Sequence, residues 1–228
     1  MTRSRHRGLV LALAALGLLG LPRARATDVK GSVRASETPK EKTIEATRTP
    51  YWQEWNGFIE PKKPSVDYAR EVTVVLIGAE STKDSTTVQI QNGALLPSTI
   101  VVQQGVPLRI RNTDDFAHKL TAEKLKGFDA IETSSGQARE VQMLQTGDFV
   151  ISDKLAPYLK GYLHVLPKVT AIANPEGDGS YKFVDVHPGN YTVKVFRGPY
   201  EMGSSTLEVK EKGDVSVPVI AVDTKAAK

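Results

Sequence analysis

The chain has no cysteine among its 228 residues. That absence excludes cysteine nucleophiles, thiolate-bound zinc, iron–sulfur clusters and disulfides, so the fold must be stabilised by burial alone. Long apolar runs are scarce too. One runs from Gly8 to Leu21, after Arg3, Arg5 and Arg7 and before Ala24-Arg25-Ala26, small residues where a signal peptidase reads. A run of about 14 residues is too short to cross about 30 Å of hydrocarbon as a helix. Residues 1–26 are therefore expected to be a cleaved signal peptide, with no transmembrane segment afterwards and a periplasmic or extracellular destination.

Net charge follows the same segment. The chain carries 30 Lys and Arg against 26 Asp and Glu, a balance of +4. Five of those arginines lie within residues 1–26, which hold no acid, so the remainder has 25 bases against 26 acids, a balance of −1. The basic excess belongs to targeting, and no nucleic-acid partner is expected.

Helical periodicity of useful length is missing beyond the N-terminal segment. In its place come short β-branched runs separated by turn residues. Val72 to Ile77 is nearly continuous in apolar character, as a buried strand would be. Thr87 to Gln91 alternates and stops at Asn92-Gly93, a hairpin signal. Further strands are expected at 99–102, 108–111, 140–144, 149–152, 162–166, 180–184, 190–196, 205–209 and 216–222, with one short helix near 122–125. Many short strands at regular spacing mean an all-β chain of sandwiches.

Chemistry is thinly signalled. Asp114 and Asp115 are adjacent carboxylates, but neighbours on a strand point to opposite faces, and no Ser–His–acid arrangement is readable. No catalytic role and no cofactor are expected. Tyr51, Trp52 and Trp55 stand close together between polar stretches, either packed on the domain or exposed to stack on a sugar. Polysaccharide is thus a possible ligand.

Two blocks carry a resemblance to the cupredoxins. Asn112-Thr113-Asp114-Asp115-Phe116-Ala117-His118 is similar to the family's approach to its first copper-ligating histidine. Gly147 to Ser152 with Ala156-Pro157-Tyr158-Leu159-Lys160-Gly161-Tyr162 resembles its closing segment, G-x-Y-x-x-x-C-x-x-H-P-W-M-x-G-Y. The resemblance implies a Greek-key domain over residues 86–168. It also implies lost copper ligands: His118 remains, while Ser152 is placed at the cysteine, Ala156 at the second histidine (allowing one extra loop residue) and Leu159 at the methionine. A blue-copper centre needs soft sulfur beside imidazole. His164 and Met143 match no ligand spacing, so no metal is expected.

Around this block lies a second resemblance. Val29-Lys30-Gly31-Ser32-Val33, Val72 to Gly78, Gly179-Ser180-Tyr181-Lys182-Phe183 and Pro188-Gly189-Asn190-Tyr191-Thr192-Val193 resemble the carboxypeptidase-regulatory, prealbumin-like β-sandwich. It implies a discontinuous outer sandwich, residues 27–80 with 169–223, and a tail at 224–228. The two resemblances together imply an exported, non-catalytic binding or structural module of the cell envelope. Its partner is expected to be a protein, met through loops bearing Phe116, His118, Leu155, Pro157 and Tyr158. The alternatives are a carbohydrate-binding module using Trp52 and Trp55, or a copper electron-transfer protein.

Overall fold

A computed structural model describes residues 27–35, 66–211 and 214–222. The expected signal peptide, the Tyr51, Trp52 and Trp55 cluster and the tail lie outside the described residues. Within them the chain is all-β: one short helix, α1 (Tyr68–Glu71), and sixteen strands. No described helix is long and apolar enough to cross a membrane.

The strands form four sheets that pack in pairs, making two sandwiches of two layers each. One pair draws on both ends of the chain. β1 (Thr27–Ala35) lies between β12 (Ser180–Val186) and β15 (Val215–Ser216), with β16 (Ile220–Val222) further along the same edge of β1. Against this sheet packs the order β11 (Ala171–Ala173), β2 (Val72–Ile77), β13 (Gly189–Arg197), β14 (Tyr200–Val209). Val29, Val33 and Phe183 from one sheet and Val74, Leu76, Val193 and Val195 from the other fill the space between them. Expected strand 216–222 is divided in two, and both pieces pair in parallel with β1. Pro218 falls in the gap, where its missing N–H costs no ladder bond.

The second pair uses only the middle of the chain. β5 (Thr99–Gln103), β10 (Lys160–Leu166), β9 (Gly147–Asp153) and β7 (Leu120–Ala122) make one sheet. β4 (Ala94–Leu96), β3 (Thr86–Gln91), β6 (Pro107–Asn112) and β8 (Ala138–Gln142) make the other. Val88, Ile90, Leu108 and Ile110 meet Ile100, Ile151, Leu163 and Val165 in its core. β3 and β4 turn through Asn92 and Gly93, at φ 53° and 69°. Both values are positive, the backbone a two-residue hairpin of this hand requires. The short helix expected near residue 122 does not form. β7 ends at Ala122 and Lys124 takes φ 65°, outside helical space.

Why β2 is apolar at every position but Thr73 is now evident. Val72, Val74 and Leu76 face the first core, while Val75 packs with Val101 of β5, Val169 and Phe196. A strand covered on both faces has no solvent side on which to alternate. Polar contacts lock the same junction. The buried Thr99 hydroxyl donates to the Glu71 carbonyl and accepts the Gly198 N–H at 2.8 Å. Beside it, Arg197 pairs with Glu71 at 2.7 Å.

Two glycines of the outer pattern are set by close approach. A Cβ on Gly31 would fall 2.3 Å from the Tyr181 hydroxyl, and one on Gly78 would fall 2.3 Å from the Tyr191 ring. Each aromatic lies across bare backbone that any side chain would displace.

Replacing Thr99 by Val keeps its volume but leaves the Glu71 carbonyl and the Gly198 N–H without their partner. Unpaired buried groups cost about 1–3 kcal/mol, so urea unfolding of Thr99→Val should show a loss in that range. Unchanged stability would mean that the junction does not depend on this hydroxyl.

Candidate functional site

The end of the middle sandwich is built around Asn112, the last residue of β6. Its side chain is fully buried. The amide donates to the carbonyls of Phe116 at 2.8 Å and Thr133 at 2.9 Å, and its oxygen accepts the Asp114 N–H at 3.0 Å. One side chain thereby ties the loop from 112 to 118 into a tight turn. The turn separates the two adjacent acids: Asp114 is buried and Asp115 exposed. They do not form a carboxylate pair.

His118 follows, joined to Thr133 by a pair of backbone hydrogen bonds, and its exposure is 0%. Its Nε2 lies 3.1 Å from an Asp114 carboxylate oxygen, and its Nδ1 makes a short contact with Asp153. A carboxylate is an acceptor only, so both contacts are hydrogen bonds when each ring nitrogen carries a proton. The arrangement is an imidazole ring clasped between two carboxylates. Backbone donors complete it. Asp114 accepts the N–H groups of Asn92 and Gly93, and Asp153 accepts those of Lys119 at 3.0 Å and Leu155 at 2.8 Å.

These bonds decide the acidity of both carboxyls. For Asp153, burial is the largest influence and pushes the carboxyl up. The Leu155 N–H, His118 and the Lys119 N–H together outweigh it and hold the group below the ordinary carboxylate value. For Asp114, burial again pushes upward and is outweighed by the Gly93 N–H, His118 and the Asn92 N–H.

The structure corrects two expectations at this end. Ser152 does not face His118; it is half-buried on β9 and paired with Thr121 and Lys160. Counting G-x-Y-x-x-x-C from Gly147 through Phe149 puts the cysteine position on Asp153. The second histidine and the methionine then fall on Ala156 and Leu159 with no extra residue. The count alone identifies Asp153, and the contact with His118 agrees with it. His118 itself, expected at a partner surface, is sealed inside and cannot touch a partner. Phe116, Leu155 and Tyr158 are 47%, 53% and 71% exposed, and Pro157 is exposed beside them. Ala156 and Leu159 point inward into the core.

The remaining candidates lie elsewhere. His164 is buried on β10, its Nδ1 2.7 Å from Asp148 and its Nε2 donating to the Gly198 carbonyl at 2.8 Å. Met143 is buried among apolar neighbours. Among the described residues no group of three or more His, Cys, Asp or Glu is arranged to hold a metal ion.

Residues 68–165 match the family described as cupredoxin-like domain. The class is therefore an all-β chain containing a cupredoxin-like domain. That match begins at α1 and includes β2, earlier than the expected start at residue 86. No curated protein sequence gives a match. Similar solved structures include a purple cupredoxin from Nitrosopumilus maritimus, 17% identical over 35% of this chain and 98% of that one, TM-score 0.32. Amicyanin from Paracoccus versutus is 17% identical over 42% of this chain and 98% of its own, TM-score 0.33. A Cu-containing nitrite reductase from Thermus scotoductus SA-01 is 20% identical over 39% of this chain and 24% of its own, TM-score 0.32.

Two outcomes follow from the geometry. Carboxyls held below their ordinary value contribute stability that is present above about pH 4 and lost as pH falls through their folded values. Thermal midpoints should therefore drop on acidification below about pH 4, and Asp153→Asn should flatten that limb; an identical limb in the variant would argue against the cluster. The ligand count is checked separately. A chain with Asp153→Cys, Ala156→His and Leu159→Met should take up Cu(II) and turn strongly blue, whereas Ser152→Cys with Ala156→His and Leu159→Met should stay colourless. The reverse result would restore the Ser152 placement.

Proposed function

We propose that this chain is an exported, non-catalytic binding or structural module of the cell envelope. In this reading, a carboxypeptidase-regulatory-like sandwich (residues 27–80 with 169–223) carries a cupredoxin-like domain (86–168) that meets a protein partner. The observation that carries the reading is the exposed apolar group of Phe116, Leu155, Pro157 and Tyr158, at the end where the family's copper positions fall. Large apolar side chains exposed on adjacent loops suit a protein contact.

The residues at the copper positions do not fit type 1 copper. Such a site needs thiolate sulfur and imidazole in a trigonal plane. The chain has no thiol, Ala156 and Leu159 offer no donor, and both nitrogens of His118 are already engaged by carboxylates. The closed cluster supports a domain that keeps the fold without the electron-transfer chemistry. The glycine–tyrosine contacts at Gly31 and Gly78 support the outer resemblance, since both glycines and both tyrosines belong to its pattern. The Arg-Leu-Ala-rich start, ending in Ala24-Arg25-Ala26, supports export.

The partner surface this face suits is apolar with acidic edges. Lys119 and Lys154 sit side by side, the Lys154 N–H bonded to the Lys119 carbonyl, with Asp115 the acid of the neighbouring loop. Photocrosslinking from position 158 in envelope extract should label a discrete protein, and Phe116→Ala with Tyr158→Ala should weaken its capture at least ten-fold with little change in thermal midpoint. About 1.4 kcal/mol corresponds to that factor, a modest loss for two exposed aromatic anchors. A folded double variant with full capture, or purified protein holding stoichiometric copper with strong blue absorption, would overturn the reading.

A further inference from the structure

Three of the exposed apolar residues trace back to the buried cluster by a single contact each. The Phe116 ring lies against the His118 ring, with centroids 4.6 Å apart and planes tilted by 44°. The Leu155 N–H donates to Asp153 at 2.8 Å. Tyr158 lies over Gly93, where a Cβ would come within 2.9 Å of the tyrosine ring, and the Gly93 N–H donates to Asp114 at 2.8 Å. The contacts come from three loops: the β3–β4 turn, the segment before β7 and the segment after β9. Far apart in the chain, these loops converge on the same three side chains.

We propose that the Asp114–His118–Asp153 cluster is the positioning device of the contact face. It fixes Phe116, Leu155 and Tyr158 relative to one another, at the place where the family's pattern puts a metal. The face is then preformed, so its side chains lose little freedom on binding. This inference rests on reading that end as a partner surface, but it concerns the free protein.

A competing account needs no cluster. Ala156 and Leu159 are 2% and 1% exposed, and their burial alone would anchor the loop after β9. The two accounts differ in what happens at Phe116 and Tyr158 together. If burial were sufficient, breaking the cluster would leave Tyr158 in place. If the cluster positions the face, both aromatics move at once.

The test uses the full chain labelled with fluorinated phenylalanine and tyrosine, with Phe116, Tyr158 and Tyr200 assigned by substitution. Tyr200, half exposed at the start of β14 on the other sandwich, is the control. In Asp114→Asn and Asp153→Asn, the resonances of Phe116 and Tyr158 should both move toward the free amino-acid shift while Tyr200 stays put. Gly93→Ala keeps all three cluster side chains but sets a Cβ 2.9 Å from the Tyr158 ring, and should displace Tyr158 while Phe116 stays put. A general loss of structure would move Tyr200 as well, and Ala156→Gly, which trims the buried anchor of the competing account and keeps the cluster, would then decide: Tyr158 should stay put, and its movement would overturn the inference. Unmoved Phe116 and Tyr158 signals in the folded carboxylate variants, or an unmoved Tyr158 in Gly93→Ala, would overturn the inference. Because no partner is present, failure here is separate from failure of the crosslinking experiment.

Discussion

The imidazole of His118 is out of reach of water, and each of its nitrogens must find a partner within the protein. Both partners are carboxylates, and neither could be buried without it. A buried carboxylate without compensation costs several kcal/mol. Asp114 and Asp153 meet that cost with His118 between them and two backbone N–H groups each. The three side chains are therefore interdependent: removing any one leaves its neighbours short of a bond. Around that constraint the β3–β4 turn, the loop after β6 and the loop after β9 take their positions.

The junction between the sandwiches obeys a similar rule, each buried polar group meeting a partner within the protein. Thr99 serves the Glu71 carbonyl and the Gly198 N–H, Gln103 serves the Thr82 carbonyl and the Val169 N–H, and His164 reaches from β10 to the Gly198 carbonyl. Apolar packing of Val75, Val101, Val169 and Phe196 fills the space among them. A joint of this kind fixes direction as well as distance, because hydrogen bonds fail steeply with angle whereas apolar contacts slide. The middle sandwich, with Phe116, Leu155 and Tyr158 exposed on its loops, thus stands on a defined base.

Much of this architecture is legible in the residues, and the illegible parts have a common cause. Val72 to Ile77 declares a doubly covered strand, and Asn92-Gly93 declares a hairpin, because both signals are local. The division of the last strand at Pro218 is also local and could be read from the missing N–H. The burial of His118 could not. Its partners lie four and thirty-five residues away, and nothing nearby in sequence distinguishes a sealed histidine from one at a surface. Asp153 was recoverable by strict counting from Gly147, yet a serine next to it looks like the milder replacement for cysteine. The ring contact with His118 agrees with the count. The exposure of Phe116 beside the buried Asp114 follows from the Asn112 turn, which a strand-based reading of that loop does not contain.

The charge of the cluster bears on why a metal ion does not suit it. The two carboxylates are met by the His118 ring and by four backbone N–H groups already aimed at their oxygens. A divalent ion would have to displace these donors or the imidazole ring before reaching an oxygen or a nitrogen. Each displaced donor would become an unpaired buried group. Adding imidazole and thioether at positions 156 and 159 would not remove that obstacle. The acid at 153 must go first, because it holds the nitrogen that a metal would need.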